Sequence, residues 1–210
     1  MEGTTIKTLV RDNIYHFMLS FCKLISDFEF NVKGKENLPR QSIIASNHWG
    51  SFDPIPISFG LERKIITITK RPGKLLRPPG FIPYLGRISL SDGIKNSMES
   101  AIDYYRRGYS ILTFPGGEGR KECADGEIRN IYPYVLLLSK ITNLPITPIG
   151  IKGLKENWSE PNLLPHLKSS FNICIGKPMS PSESKKDYGL LSYRLKEEIE
   201  RLYKEANKSY

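Results

Sequence analysis

Two polar clusters in the chain contain side chains that can do chemistry. The first has Asn47 and His48, with Asp53 five residues after the histidine. A carboxylate bound to one imidazole nitrogen fixes the tautomer, leaves the other nitrogen free to accept a proton and stabilises the imidazolium that forms. The spacing therefore predicts a general base, His48, oriented by Asp53. The alternative interpretation is a buried histidine beside an aspartate that only caps a helix.

The second cluster, residues 116–121, has three glycines followed by an arginine and a lysine. Backbone N–H groups of a glycine-rich loop and neighbouring cations together bind an oxyanion or a phosphate. The chain has no GxSxG segment, which disfavours a serine hydrolase with an acyl-enzyme, and no GK[ST] ending that would indicate nucleotide hydrolysis. The predicted base would therefore act on a hydroxyl group of a substrate.

Both clusters directly follow predicted strands, so the fold decides whether they meet. Short β-branched apolar runs predict strands over 42–46, 65–69, 87–91, 109–114, 146–151 and 171–175. Apolar residues at helical spacing predict helices from Asp53-Pro54 onward and over 93–107, 132–142 and 186–207. The alternation predicts an α/β fold whose central sheet is largely parallel or mixed and is flanked by helices. Ligands of such sheets collect at the carboxyl ends of the strands, where both clusters fall.

The first thirty residues form a separate unit in this interpretation. Apolar residues between 6 and 28 recur at helical spacing, which predicts an N-terminal amphipathic helix over residues 1–30, followed by a single domain over residues 31–210. The middle of the helix, residues 14–19, is apolar nearly all round except for His16. Either it packs on the domain as an ordinary helix, or it lies in the interface of a membrane.

Positive charge is concentrated in one stretch of the chain. The 210 residues carry a net charge of +9, and residues 61–90 contain seven basic residues and one acid, Glu62. Prolines and glycines interrupt this stretch, which excludes one long basic helix and favours surface loops. A basic surface of this kind favours an anionic partner: nucleic acid, anionic lipid headgroups, a phosphorylated substrate or an acidic carrier protein.

The remaining composition limits the cellular setting. The three cysteines, Cys22, Cys123 and Cys174, match neither a disulfide framework nor a zinc site, so we expect a reducing compartment. The chain has no apolar run of about 18 residues that would span a bilayer and no cleavable signal segment. We therefore expect a cytoplasmic protein that associates peripherally with a membrane.

Four sequence blocks resemble those of one known family. Residues 47–53 (NHWGSFD) look like the NHxxxxD motif of the glycerolipid acyltransferases related to 1-acylglycerol-3-phosphate acyltransferase, the PlsC-like family. Residues 86–90 (GRISL) stand in the place of the family's second block, a GxIPVDR-like strand. Residues 114–120 (FPGGEGR) are similar to the third block, FPEGTR, and residues 144–149 (LPITPI) to the fourth. The blocks occur in the family's order.

Two positions depart from the family pattern. Asp92 stands where the family has an arginine that contacts the glycerol phosphate, which leaves Arg87 or another nearby cation as the substitute. The third block contains an extra glycine. Alignment on Phe-Pro sets Gly116 against the family's glutamate, whereas alignment on Glu-Gly makes Glu118 and Arg120 the equivalents, and we favour the second because it retains an acid and a cation.

The resemblance implies an O-acyltransferase of phospholipid biosynthesis. His48, held by Asp53, would take the proton of the hydroxyl of a lysophospholipid such as 1-acylglycerol-3-phosphate as that hydroxyl attacks the thioester of acyl-CoA or acyl carrier protein. No metal or other cofactor is implied. The substrate-binding residues that the resemblance implies are Asn47, Arg87, Gly117, Glu118, Gly119 and Arg120. An anionic membrane surface would supply the acceptor and receive the product.

Two alternatives remain open from the sequence. The departure at Asp92 favours an acyltransferase whose lysolipid or hydroxylated acceptor lacks the glycerol phosphate. A protein of another class, a basic nucleic-acid-binding module, would use residues 61–90, but Phe81 and Tyr84 are the only aromatic residues in that stretch on which bases would stack. We therefore expect no nucleic-acid partner.

Overall fold

Seven strands and four helices make up the part of the chain that the structure, a computed structural model, describes: residues 20, 24, 27–50, 53–69, 87–116, 126–157, 166, 168–180 and 187–208. The strands are β1 (Asp27–Lys33), β2 (Ile43–Ser46), β3 (Ile65–Thr69), β4 (Arg87–Ser89), β5 (Ser110–Thr113), β6 (Ile146–Lys152) and β7 (Lys168–Ile175). The helices are α1 (Pro54–Leu61), α2 (Ile94–Arg106), α3 (Tyr134–Thr142) and α4 (Asp187–Lys208). Strands β2 to β7 and the helices lie within three residues of their predicted bounds.

The strands form one sheet in the order β1-β7-β6-β2-β5-β3-β4. Its pairs are parallel except β6 with β7, which is antiparallel. Strands β6, β2, β5, β3 and β4 therefore run in one direction and β1 and β7 in the other. The predicted fold class, α/β with a largely parallel or mixed sheet, is confirmed.

Apolar residues cover both faces of the sheet. Alternate residues of β2 point to opposite faces, so Ile43 packs in one cluster and Ile44 in the other. Helices α2, α3 and α4 cover the face of Ile43, and α1 covers the face of Ile44. The continuous apolar composition of the central strands follows from this double burial.

Helix α1 begins with two prolines. Pro54 occupies its first position and Pro56 its third, where a missing N–H is harmless because the first four N–H groups of a helix have no partner within it. The helix packs closely on β1 and β7, since a Cβ atom at Gly60 would lie 2.5 Å from Cδ1 of Ile173 and 2.8 Å from Cδ1 of Phe30. This close packing fixes the helix whose first turn follows Asp53.

The end of the predicted N-terminal helix is wrong. Phe28 lies in β1, which pairs along its length with β7. The segment DFEFNVK alternates apolar and polar residues, and its Phe28 and Phe30 rings lie 5.4 Å and 5.5 Å from the ring of Phe171. This pattern of period two was a readable strand signal.

Most of the remaining N-terminal segment lies outside the described residues, although Ser20 and Leu24 are helical. Residues 70–86 of the basic stretch 61–90 also lie outside them. No helix in the described ranges is both long and apolar enough to cross a bilayer.

Candidate active site

The carboxylate of Asp53 is the centre of the turn between β2 and α1. It is fully buried, and its oxygens accept hydrogen bonds from the backbone N–H of Trp49 at 2.6 Å and of Gly50 at 3.0 and 3.1 Å. Its side chain makes no capping hydrogen bond with α1. The interpretation of Asp53 as a helix cap alone is therefore wrong, because the carboxylate turns back toward the preceding residues.

The imidazole of His48 is a further hydrogen-bond partner of that carboxylate. Its Nδ1 lies 2.7 Å from Oδ2 of Asp53. A carboxylate only accepts, so Nδ1 carries the proton and Nε2 has a free lone pair. The side chain of His48 is 19% exposed, and no residue in the described ranges bonds to Nε2. The geometry provides an oriented base with one open nitrogen.

The phenyl ring of Phe114 covers one face of the imidazole. The two ring centroids are 4.0 Å apart, and the ring planes are 17° from parallel. Phe114 follows β5 and is 7% exposed, and β5 pairs directly with β2, which leads into His48. Phe114 is not among the site residues predicted from the sequence, although it opens the third block and directly follows a strand.

Asn47 directly follows β2, where the sequence places it, and its side chain is bound within the protein. It is 1% exposed, its Nδ2 donates to the carbonyl of Ile151 at 2.9 Å, and its Oδ1 accepts from the N–H of Ile151 at 2.9 Å. Both polar atoms of the amide therefore have partners inside the protein. Asn47 ties the end of β2 to the end of β6, and this bond leaves no pattern in the local sequence.

Lys152 extends this connection to helix α4. Its Nζ contacts the carboxylate of Glu156 and donates to the hydroxyl of Tyr203 at 3.3 Å. Burial lowers the pKa of Lys152, but the hydrogen bonds to Glu156 and Tyr203 outweigh it, and the pKa is raised. Lys152 thus stays charged as a structural cation at the end of β6, the strand that binds Asn47.

The adjacency of β2 and β5 brings the starts of the two predicted clusters to one edge of the sheet. The described part of the second cluster ends at Gly116, and the predicted binding residues Gly117, Glu118, Gly119 and Arg120 lie outside the described residues. Arg87 is in β4, three strands from β2, or roughly 14 Å at about 4.8 Å per strand. Asp92 ends a 3₁₀ turn, Leu90–Asp92, directly after β4.

The carboxyl ends of β6, β2 and β5 therefore converge on one base. His48 follows β2, and its partner Asp53 directly precedes α1. Phe114 follows β5, and Ile151 near the end of β6 bonds to Asn47, the residue before the histidine. In the described ranges, no three His, Cys, Asp or Glu side chains form a metal-binding group. Such an arrangement is suited to removing a proton from a hydroxyl nucleophile.

A family comparison agrees with this geometry. Residues 29–152, more than half of the chain, match the model of the family described as Acyltransferase, so the chain belongs to the acyltransferase family. The membership predicted from the four sequence blocks is confirmed, and the protein is an acyltransferase. No curated protein matches the sequence.

Among solved structures, the fold matches the crystal structure of the 1-acyl-sn-glycerophosphate (LPA) acyltransferase PlsC from Thermotoga maritima. The TM-score is 0.64 at 23% sequence identity, over 96% of this chain and 83% of that one. At this identity the likeness is one of fold. The chain therefore has a PlsC-like fold.

Proposed function

We propose that the protein transfers a fatty acyl group from an acyl thioester to the hydroxyl of a lysophospholipid. The observation that carries the proposal is the contact of 2.7 Å between His48 and Asp53, which leaves Nε2 open at the carboxyl end of β2. Membership of the acyltransferase family supports the reaction class. The site residues that we propose as catalytic are His48 and Asp53.

The proposed reaction is a direct transfer. Nε2 of His48 takes the proton of the acceptor hydroxyl while the oxygen forms a bond to the thioester carbonyl carbon. Asp53 stabilises the imidazolium that forms. The tetrahedral intermediate then expels the thiolate as the C–S bond breaks, and the imidazolium returns the proton to the sulfur. The base is regenerated without a metal or other cofactor.

We propose 1-acylglycerol-3-phosphate as the acceptor, with Arg120 and Arg87 as its phosphate contacts. The fold match to PlsC, a 1-acyl-sn-glycerophosphate acyltransferase, supports this acceptor, as does the family block that ends at Arg120. A second acceptor, a lysolipid without the glycerol phosphate, is supported by the acid at position 92, where the family has an arginine. The proposed donor of the thioester is acyl-CoA or acyl carrier protein.

The test of the proposal is thiol release by the purified protein with each donor and with two acceptors, 1-acylglycerol-3-phosphate and monoacylglycerol. We expect turnover with the phosphate-bearing acceptor, and Arg120→Ala should raise its apparent KM by about tenfold or more, for the loss of a charge-assisted contact of about 1.5–3 kcal/mol. The KM of the donor should change little. Turnover with monoacylglycerol but not with 1-acylglycerol-3-phosphate would show that the acceptor lacks the glycerol phosphate. No thiol release with any combination of donor and acceptor would contradict the proposal.

We further propose that the predicted N-terminal helix and the basic residues of 61–90 hold the protein at an anionic membrane surface. Apolar side chains that enter the interface and cations that attract anionic lipid act together in such binding, the latter by about 1 kcal/mol per Lys or Arg. Removal of residues 1–24, which leaves β1 whole, should release the protein from vesicles containing phosphatidylserine. Unchanged vesicle binding by the shortened chain would contradict the role of the helix.

A further inference from the structure

The stacking of Phe114 on His48 is not used in the proposed reaction. Among the described residues, one hydrogen bond, from Nδ1 to Asp53, holds the imidazole. The ring is joined to the backbone through Cβ, and rotations about χ1 and χ2 that tilt the ring displace Nε2. A misplacement of about 1 Å in a reacting group costs about 10²-fold in rate. The base therefore needs a second contact that fixes the tilt of its plane.

Phe114 is itself firmly held. It is 7% exposed, and the residue before it, Thr113, pairs with Ala45 of β2. The residue after it, Pro115, accepts a hydrogen bond from the N–H of Tyr132 at 3.0 Å. A phenyl ring anchored on both sides gives the imidazole, 4.0 Å away and 17° from parallel, a fixed surface to lie against.

We propose that Phe114 is a positioning residue that fixes the plane of the His48 ring, so that Nε2 points at the acceptor hydroxyl. The inference rests on the proposed function, in which His48 is the base. The contact has a second effect on the reaction. When His48 takes the proton, the imidazolium lies over the phenyl face well within the range of about 6 Å in which a ring attracts a cation.

The test compares Phe114→Leu, which removes the ring, with Phe114→Tyr, which retains it. We expect Phe114→Leu to lower kcat by about 10- to 100-fold with KM values within about threefold of wild type, because the stack orients a reacting group and binds no substrate. Phe114→Tyr should keep kcat within about threefold. If Phe114→Leu does not fold, Phe114→Met serves with the same criteria.

Phe171→Leu is the matched control for lost packing. Phe171 is fully buried in the same apolar cluster as Phe114, but it lies in β7, two strands from β2. We expect this variant to lower the thermal midpoint at least as much as Phe114→Leu while kcat stays within about twofold. An equal loss of kcat in both leucine variants would show a general effect of packing and overturn the proposal.

A spectroscopic measurement separates this proposal from the proposed function. The chain has three histidines, so the ring-proton NMR signals of His48 are identified by their absence from His48→Ala. A stacked phenyl ring shifts these signals upfield, and Phe114→Leu should remove the shift while Phe114→Tyr retains it. If the shift disappears and kcat does not change, the positioning role is wrong. Wild-type turnover in His48→Ala would instead overturn the proposed function.

Discussion

The two ends of the sheet carry charge in different ways. At the carboxyl ends of β2, β5 and β6, the buried acid Asp53 has its oxygens bound by backbone N–H groups and an imidazole. At the opposite end, where β1 and β7 finish, a cavity of about 1150 Å³ lies beside α4 and is lined by charged residues of both signs. There Arg201, 57% exposed, bonds to Glu198 at 2.8 Å and to Glu205 at 3.0 Å.

This cavity has a weaker claim to chemistry than the site around His48. Its ion pairs are solvated, and they satisfy one another on the outer side of a helix. The thiol of Cys174 lines it, but burial, followed by the charge of Glu205, raises its pKa and leaves little thiolate to react. In the described part of the site end, Nε2 of His48 is open while both oxygens of its partner carboxylate accept hydrogen bonds. A single oriented atom indicates reactivity better than a large volume or a high density of charge.

The largest effect is expected for His48→Ala, which removes the base at the site end of the sheet. We expect acyl transfer to fall by about 10²–10⁴-fold, the usual contribution of a general base, with little loss of stability because the imidazole is partly exposed. Steady-state thiol release and thermal unfolding of the same preparation measure both effects. Wild-type turnover in a folded His48→Ala protein would show that the site lies elsewhere.

Asp53→Asn tests the carboxylate separately from the base. The amide NH₂ group would face either Nδ1 of His48, which no longer holds the tautomer, or the N–H of Gly50, so at least one bond is lost in either orientation. The neutral amide also stabilises the imidazolium less than the carboxylate does. We expect a loss of about 10²-fold or more in kcat and a destabilisation of about 1–3 kcal/mol in urea unfolding. Asp53→Asn with full activity would contradict the orienting role.

Asn47→Ala tests the tie between β2 and β6. The N–H and C=O of Ile151, both buried, would lose their partners at about 1–3 kcal/mol for each unsatisfied group. We expect a thermal midpoint lower by about 2–4 °C for each kcal/mol, together with a smaller loss of kcat than in His48→Ala. Asn47→Asp tests the donor separately, because it keeps the acceptor for the N–H of Ile151 but buries a charge and sets an oxygen against the carbonyl of Ile151, so it should lose at least as much stability as Asn47→Ala. An unchanged KM would agree with a residue that does not bind substrate.

The smallest effect is expected at the opposite end of the sheet. Arg201→Gln removes the exposed ion pairs with Glu198 and Glu205, and such pairs contribute about 0–1 kcal/mol. Acyl transfer should stay within about twofold of wild type at every salt concentration assayed. A loss of kcat comparable with that of Asn47→Ala would show that the two ends are coupled and that the contrast between them is false.

Local pattern predicted most of the elements and both members of the candidate dyad. The β-branched runs over 65–69 and 146–151 are apolar enough to require burial on both faces, which selects inner strands. His48 and Asp53 are five residues apart across a strand end and a helix start, so their contact depends on one short turn. Contacts between residues this close in sequence can be predicted from their spacing.

The tertiary structure decided the contacts between distant segments. The partner of Asn47 is 104 residues away, and the ring that stacks on His48 belongs to the residue after β5, so neither contact has a local signature. Strand β1 shows the same limit, because Phe28 fits a helical stripe with its preceding neighbours as well as a strand pattern with Phe30. Pairing with β7, some 140 residues later, selects the strand. Local sequence sets what each segment is able to form, whereas burial and hydrogen bonding across the sheet select which form and which neighbours it takes.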